Sequence, residues 1–289
     1  GSGRTDGRSG GGDEVEAAGR AFCFVRRCGT GGGAAGSAGG FTTRTGDDID
    51  ELVEARGLAV ETFIGDNSGG AYLSAMKEDT GLGLDLLADI LRNPAFPEDK
   101  IKLAKEEQKA GISRRNDDPM TIARREAMKV VFGADHPMAR HTEYATIGSI
   151  TRDDLVAFHQ RFYGPNNMML GVWGDFDAKE MIAKIEKAFA EWEKIDLDLP
   201  ATPEVSYAWR SSVNLVNKPD INQSNIYLGH VGGVMSDPDY FALTVMNQIL
   251  GGGFTGRLFK NVRSRLGLAY SVFGRYSSSF DYPGMFYVG

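Results

Sequence analysis

The side chains best suited to metal binding or nucleophilic catalysis are few in this sequence, and they are widely spaced. The four histidines are His136, His141, His159 and His230, and the two cysteines are Cys23 and Cys28. No histidine has another histidine four residues away, so no pair would share one face of a zinc-binding helix. The Cys-x4-Cys spacing is neither that of a zinc ribbon nor that of a redox Cys-x-x-Cys motif. These residues alone therefore predict no metal centre.

The remaining candidates each have a simpler structural interpretation. His136 and His141 flank a loop, and Glu143 follows two residues later, but no spacing motif supports a metal there. We expect His159 and His230 to pack or to form hydrogen bonds within the fold. The glycine triplet Gly251–Gly253 is not followed by the Lys-Ser/Thr of a phosphate-binding loop, so it indicates close backbone packing or a hinge.

Composition excludes several classes of partner. The chain has 289 residues, of which 42% are apolar and 25% charged, with a net charge of −7. It contains no basic run of the kind that nucleic-acid or anionic-membrane binders carry. It also has no stretch of about 18 apolar residues, so no membrane span is predicted. No secretory signal opens the sequence, and since Gly1 is not a start methionine, we expect the true N-terminus to lie upstream.

The first 40 residues differ from the rest of the chain. They hold 14 of the 38 glycines, and their only apolar run is Ala21 to Val25. Such a segment buries too little apolar surface to offset the entropy lost on ordering. We therefore predict that residues 1–40 are disordered, or are not native to the fold.

Two domains are predicted after this segment. From 41 to 193, amphipathic helices alternate with short apolar strands, and the acidic, proline-containing residues 194–206 are typical of a linker. The runs Leu58–Ile64 and Ala71–Met76 predict a hairpin, and Thr151 with Asp154 predicts a capping box at the start of a helix. A second domain is predicted at 207–289, with helices at about 237–250 and 255–265. Its predicted strands are Val213–Val216, Asn225–Val231, Leu268–Phe273 and Gly284–Val288. Because the sequence stops inside the last of these strands, we expect the second domain to be truncated.

A short internal sequence match indicates that the two domains are repeats. Gly39-Gly40-Phe41-Thr42 recurs as Gly252-Gly253-Phe254-Thr255, and each copy precedes a helix, a Gly-Leu-Ala turn and a strand.

Two longer motifs resemble one known family. The first runs from Thr151-Arg152-Asp153-Asp154 through Phe162-Tyr163-Gly164-Pro165-Asn166-Asn167-Met168 to Gly174-Asp175. The second runs from Leu250 to Phe259 and continues through Arg263 to Gly267-Leu268-Ala269-Tyr270-Ser271. Asn93-Pro94 and Asn116-Asp117-Asp118-Pro119 fit as well. From about residue 40 onward, the chain resembles the pitrilysin/insulinase (M16) zinc peptidases, which include mitochondrial processing peptidase.

The resemblance implies a fold and a chemistry. The fold would be α+β: the two-layer domain of the LuxS/MPP-like metallohydrolases, in which helices pack on a mainly antiparallel sheet. A second, truncated copy would follow, with the two domains facing each other across a chamber. The chemistry would be the hydrolysis of peptides. In catalytic members an H-x-x-E-H helix and a later carboxylate bind zinc, and the glutamate activates the zinc-bound water.

The residues at the implied zinc positions cannot bind a metal. The resemblance places H-x-x-E-H at residues 30–34, which read Thr-Gly-Gly-Gly-Ala, and the third ligand at Gly111. Glu106 and Glu107 are close in sequence, but a helix turns about 100° per residue, so they leave it at other angles. We therefore predict no catalytic residue, no metal ligand and no cofactor in this chain, although zinc is the cofactor of catalytic members.

The family's second domain does contribute an arginine and a tyrosine, seven residues apart, and both are present. The resemblance places Arg263 on a helix and Tyr270 on the next strand, with both reaching into the chamber. A guanidinium and a phenol can hold a peptide carbonyl, and also the oxyanion that develops opposite a zinc ion. Arg263 and Tyr270 are therefore the predicted substrate-binding residues.

Three functions follow from this resemblance. The leading interpretation is a non-catalytic, peptide-binding subunit or half, which cooperates with a zinc-bearing M16 partner or forms a homo-oligomer. One alternative is an active zinc endopeptidase whose H-x-x-E-H helix is missing or frame-shifted in this sequence. The other is a structural relative, similar to the core subunits of respiratory complexes, without a peptidase role. The predicted ligand is a peptide or unfolded polypeptide, and the family resemblance suggests a bacterial, exported protein.

Overall fold

The computed structural model describes residues 19–26, 46–65, 68–199, 201, 203–207 and 210–289, with the backbone alone described for 19–26. These residues fall into two compact units. The first comprises 19–26, 46–104 and 151–198, and the second comprises 105–150 and the described residues of 199–289. The units are divisions by spatial contact and do not test the domain boundaries predicted at 41–193, 194–206 and 207–289, which stay a prediction.

The first unit is built on a four-stranded sheet. Its strands are β1 (Gly19–Arg26), β2 (Ala59–Ile64), β3 (Ser68–Ala75) and β4 (Met168–Trp173), in the order β2-β3-β1-β4. All three pairings are antiparallel, and Phe22 of β1 lies opposite Tyr72 of β3 and Gly171 of β4. The predicted hairpin between 58 and 76 corresponds to β2 and β3.

Strand β1 lies within residues 1–40, which the sequence predicts to be disordered or not native to the fold. Gly19–Arg26 pairs along its whole length with β3, and from Arg20 to Val25 it also pairs with β4. It includes the Ala21–Val25 run. A central strand gains main-chain hydrogen bonds on both edges, and composition statistics over 40 residues do not detect this. The remainder of 1–40 lies outside the described residues.

The helices of the chain are α1 (Gly46–Arg56), α2 (Thr80–Arg92), α3 (Glu98–Arg114), α4 (Pro119–Phe132), α5 (Tyr144–Ser149), α6 (Arg152–Phe162), α7 (Ala178–Phe189) and α8 (Tyr240–Gly251). In the first unit α2 packs on β3 and against α7. The core between them contains Leu73, Leu84, Leu86 and Leu87, all almost completely buried. Apolar residues spaced three and four apart on α2 give it the buried face that this packing needs.

The predicted capping box at the start of α6 is confirmed. The Thr151 hydroxyl accepts a hydrogen bond from the Asp154 backbone N–H at 3.2 Å. The Asp154 carboxylate accepts one from the Thr151 N–H at 2.7 Å. These reciprocal bonds satisfy two backbone donors that a helix start would otherwise leave unpaired.

The second unit contains a smaller sheet. Its strands are β5 (Leu228–Val231), β6 (Gly274–Tyr276) and β7 (Met285–Val288), in the antiparallel order β5-β7-β6, with α4 packed on β5 and α8 on β6. A short π-helix spans Phe259–Arg265. Helices on antiparallel sheets confirm the predicted α+β class. In the described part of the chain, no helix combines the length and apolarity that crossing a membrane requires.

Two strands predicted in the second unit are not formed. Residues Val213–Val216 have no strand partner among the described residues. Over Leu268–Phe273, the Leu268 N–H donates to the Val262 carbonyl of the preceding helix, and Phe273 exchanges two backbone hydrogen bonds with Gly289, but no strand forms. Both runs are apolar and satisfy the strand pattern, yet Val213 and Leu268 are largely exposed. Alternation predicts a strand only where a neighbouring strand exists to pair with it.

Candidate functional site

Arg263 is positioned by the π-helix and by the turn that ends it. The Leu266 N–H donates to the Asn261 carbonyl at 3.0 Å, which is the i to i−5 bond of a π-helix. At the end, Gly267 has a φ of +63°, and its N–H donates to the Arg263 carbonyl at 3.1 Å. Since this left-handed conformation suits glycine, Gly267 can reverse the chain. The reversal brings Tyr270 back to Arg263.

The guanidinium of Arg263 contacts two aromatic rings. Its Cζ lies 4.7 Å from the ring centroid of Phe259 and 4.7 Å from that of Tyr270. Phe254 meets the ring of Phe259 edge-on, with the centroids 5.1 Å apart. We call Phe254, Phe259, Arg263 and Tyr270 the arginine–aromatic cluster. Cation–π contacts of this kind hold a flexible arginine in one orientation.

The arginine–aromatic cluster lies at the surface of the second unit. Tyr270 is 85% exposed and Phe254 78%, whereas Arg263 and Phe259 are half-buried. Over the described ranges, neither the Arg263 guanidinium nor the Tyr270 hydroxyl has a hydrogen-bond or ion-pair partner. A guanidinium that lies over aromatic rings keeps N–H donors at the edge of its planar fork. The cluster can therefore offer donors to a carbonyl or a carboxylate.

The structure brings the two predicted substrate-binding residues together, but it differs from the sequence prediction in one respect. Tyr270 lies in a loop rather than on a strand. Sequence reasoning also missed Phe259 and Phe254. The spacing of Phe259 and Arg263, four residues apart on a helix, was a signal that could have identified the first of them. The role of Arg263 and Tyr270 in substrate binding stays a prediction.

The described residues do not fit the zinc ion that the family resemblance implies. Positions 30–34 lie outside the described residues. Gly111 lies on α3 with its surface exposed, and elsewhere in the described ranges no three His, Cys, Asp or Glu side chains converge on a common point. Glu106 forms an exposed ion pair with Lys109 at 2.8 Å, and Glu107 is exposed to solvent.

Packing does not explain the glycine at position 111. A Cβ atom there would meet no other atom within 4 Å. We therefore expect Gly111→Ala to raise the free energy of unfolding by about 0.5–1 kcal/mol, because alanine loses less backbone entropy in a helix. Gly111→Glu should be tolerated as well, since glutamate is nearly as good a helix former. Urea unfolding of the full chain measures both effects.

A matched control for Gly111 is Gly57. It also has open space around it, but its φ is +61°. Gly57→Ala should therefore lower stability by about 1 kcal/mol, because L-residues avoid this region. Destabilisation by Gly111→Ala would show that its surroundings are filled, and would contradict the expectation.

Two of the histidines, His159 and His230, have structural partners. Nε2 of His159 lies 2.8 Å from the Leu91 carbonyl, and the ring stacks on Tyr163 with centroids 4.8 Å apart. Burial lowers the pKa of His159, which favours the neutral ring. In the second unit, Nδ1 of His230 lies 2.6 Å from the Val231 carbonyl. Packing within the fold, as predicted, accounts for both.

The loop with His136 and His141 does not assemble a metal site in the described structure. Nδ1 of His136 accepts a hydrogen bond from the Met138 N–H at 3.2 Å, so this lone pair serves as a helix cap. Glu143 forms a bidentate ion pair with Arg115, in which the two guanidinium nitrogens lie 2.9 and 3.0 Å from the two carboxylate oxygens. Burial lowers the pKa of His141, and the nearby charge of Lys129 lowers it further.

Comparison with known proteins shows which family this chain is similar to. The family model described as the peptidase M16 inactive domain matches residues 149–289. An uncharacterized zinc protease of Mycobacterium leprae is 30% identical over 242 residues, which cover 80% of this chain and 53% of the relative. One of Rickettsia felis is 30% identical over 255 residues, covering 86% of this chain and 59% of the relative. The chain thus spans little more than half the length of these relatives.

Solved structures of similar fold point to the same family. The peptidase M16 inactive domain from Pseudomonas fluorescens is 26% identical, with a TM-score of 0.81 over 95% of this chain and 69% of that one. The periplasmic protease PqqL of Escherichia coli, at 13% identity, shares the fold, with a TM-score of 0.69 over 96% of this chain and 31% of its own. The motifs, the α+β architecture and these matches lead to one conclusion: residues 149–289 match the inactive domain of the M16 peptidases, and the chain as a whole is similar to members of that family.

Proposed function

We propose that this chain is a non-catalytic, peptide-binding part of an M16 peptidase, and that it cooperates with a zinc-bearing subunit or half. One observation carries the proposal. Arg263 and Tyr270, which the family resemblance assigns to substrate binding, lie in contact at an exposed surface with their donors unpaired in the described structure. The match to the family's inactive-domain model supports it.

The cluster would bind a peptide through a preorganised pair of donors. The Arg263 guanidinium makes one cation–π contact with the ring of Phe259 and a second with the ring of Tyr270, and together they fix its orientation. A peptide carbonyl could then accept N–H bonds from the fork while the Tyr270 O–H serves as a second, neutral donor. Because the guanidinium is already oriented, less side-chain entropy is lost on binding than for a free arginine.

We expect Arg263→Ala combined with Tyr270→Phe to weaken peptide binding by about tenfold or more. Removing a charged donor costs about 1.5–3 kcal/mol where the hydrogen bond is made in the complex. Fluorescence anisotropy of labelled, unfolded polypeptide fragments with the full chain measures the affinity. Lys184→Ala, an exposed lysine on α7 in the other unit, is the control and should bind as the wild type does.

Two further results decide the same proposal. Arg263→Lys keeps the charge but loses the planar fork, so it should restore only part of the affinity. Equal binding by wild type and double variant, or no binding by either, would end the proposal. No binding would favour the structural relative without a peptidase role.

A second candidate is an active zinc endopeptidase in the whole protein. The observation that favours it is the naming of the M. leprae and R. felis relatives as zinc proteases, which this chain matches over little more than half their length. Measuring the zinc content of the full-length natural protein separates the two candidates. About one tightly bound zinc ion per chain would end the zinc-free interpretation.

A further inference from the structure

The arginine–aromatic cluster lies in a stretch with an unbalanced charge. Although the chain has a net charge of −7, residues 240–280 contain five cations and no aspartate or glutamate. The cations are Arg257, Lys260, Arg263, Arg265 and Arg275. They are spread over 41 residues rather than gathered in a run, so a search for basic runs does not find them. Three of them, Lys260, Arg263 and Arg265, lie on the π-helix.

None of the five cations is neutralised within the described part of the chain. The ion pairs there join other residues, such as Arg115 with Glu143 and Lys218 with Asp220. Arg257, Lys260, Arg265 and Arg275 are exposed, and Arg263 is half-buried against its rings. These cations therefore lack a carboxylate partner within the described part of the chain and are available to a ligand that carries one.

The geometry of Arg263 favours a carboxylate over a carbonyl. A carbonyl takes one or two N–H bonds at a single oxygen, whereas a carboxylate matches the fork with two parallel bonds and carries the charge that this surface lacks. The exposed ring of Tyr270 lies against the guanidinium, and the exposed ring of Phe254 lies against Phe259, the other ring that the guanidinium contacts. Both exposed rings offer apolar contact to the residues on either side of such a carboxylate.

We propose that this surface selects peptide segments in which an acidic side chain is flanked by apolar or aromatic residues, with the carboxylate held by Arg263. The inference rests on the proposed function, because it names the class of peptide that the same site takes. Lys260, Arg257 and Arg265 contribute a longer-range field that attracts such segments and should weaken with salt. Exposed aromatic rings next to a single oriented guanidinium suit a side chain better than a continuous phosphate backbone.

The test uses the full chain and three labelled peptides that differ only in one central residue, which is Glu, Gln or Lys between apolar neighbours. Wild type should bind the Glu peptide about fivefold or more tightly than the Gln peptide, and the Lys peptide most weakly. The preference should shrink as salt rises from about 0.05 to 0.3 M. Arg263→Gln should abolish the difference between the Glu and Gln peptides, and Arg263→Glu should favour the Lys peptide.

Variants at exposed positions test the same inference, because substitutions there are not expected to disturb the fold. Lys260→Gln and Arg257→Gln, at exposed positions, should weaken binding of the Glu peptide and leave that of the Gln peptide unchanged. Lys184→Gln, on α7 of the other unit, should change neither. Equal affinity of wild type for the Glu and Gln peptides would overturn this inference while the proposed function stands. Absence of binding to all three would overturn both, and tighter binding of a single-stranded oligonucleotide would overturn the choice of an acidic peptide.

Discussion

Gly251→Ala is expected to lower the free energy of unfolding of the second unit by about 3 kcal/mol. Gly251 is the buried last residue of α8, where the helix meets β6. A Cβ atom there would overlap the backbone nitrogen of Gly274 and lie 2.8 Å from its Cα. Because the obstacle is backbone rather than a flexible side chain, the helix itself would have to move away from the strand.

The control for this variant lies in the same glycine triplet. A Cβ at Gly253 would meet only the Gln248 side-chain nitrogen, at 4.0 Å, so Gly253→Ala should change stability by less than about 0.5 kcal/mol. Hydrogen exchange over 240–251 and 274–276, together with thermal unfolding, measures the loss. A Gly251→Ala protein as stable as wild type would show that α8 does not need this close contact.

Leu87→Ala should destabilise the first unit by about 2–5 kcal/mol. Leu87 is 0% exposed and packs in the core formed by α2, β3 and α7. Removing three carbon atoms there loses their burial and leaves a cavity that helices anchored on both sides cannot close.

The comparison for Leu87 is Leu103→Ala on α3. Leu103 is 53% exposed, so the same chemical change should cost less than about 1 kcal/mol. Urea unfolding followed by circular dichroism gives both values. Losses of similar size would mean that the buried leucines do not form the core that stabilises the first unit.

The parts of the fold that depend on local chemistry were predictable. The Thr151–Asp154 capping box needs only residues three apart, and it forms as predicted. The triplet Gly251–Gly253 was predicted to allow close backbone packing, and Gly251 does so. Strand β1 was missed because its pairing depends on β3 and β4, which lie far away in the sequence. Long-range pairing of this kind leaves little trace in local composition.

The candidate site was predictable in its residues but not in its geometry. Arg263 and Tyr270 were identified from a resemblance, and they do meet. The contact between the Phe259 ring and the guanidinium was not predicted, because a motif read along the sequence does not show which of its residues share one face of a helix. Nor was the loop that carries Tyr270, because the apolar run Leu268–Phe273 satisfies a strand pattern without a partner strand.

The π-helix makes this site sensitive to the number of residues as well as to their identity. Its wider turn sets the angular phase of Arg263 relative to Phe259. Deleting one residue between them would rotate the guanidinium off the ring even if every remaining side chain were kept. An insertion or deletion in this segment would therefore disrupt the arginine–aromatic cluster in a related protein without disturbing the packing of α8 on β6.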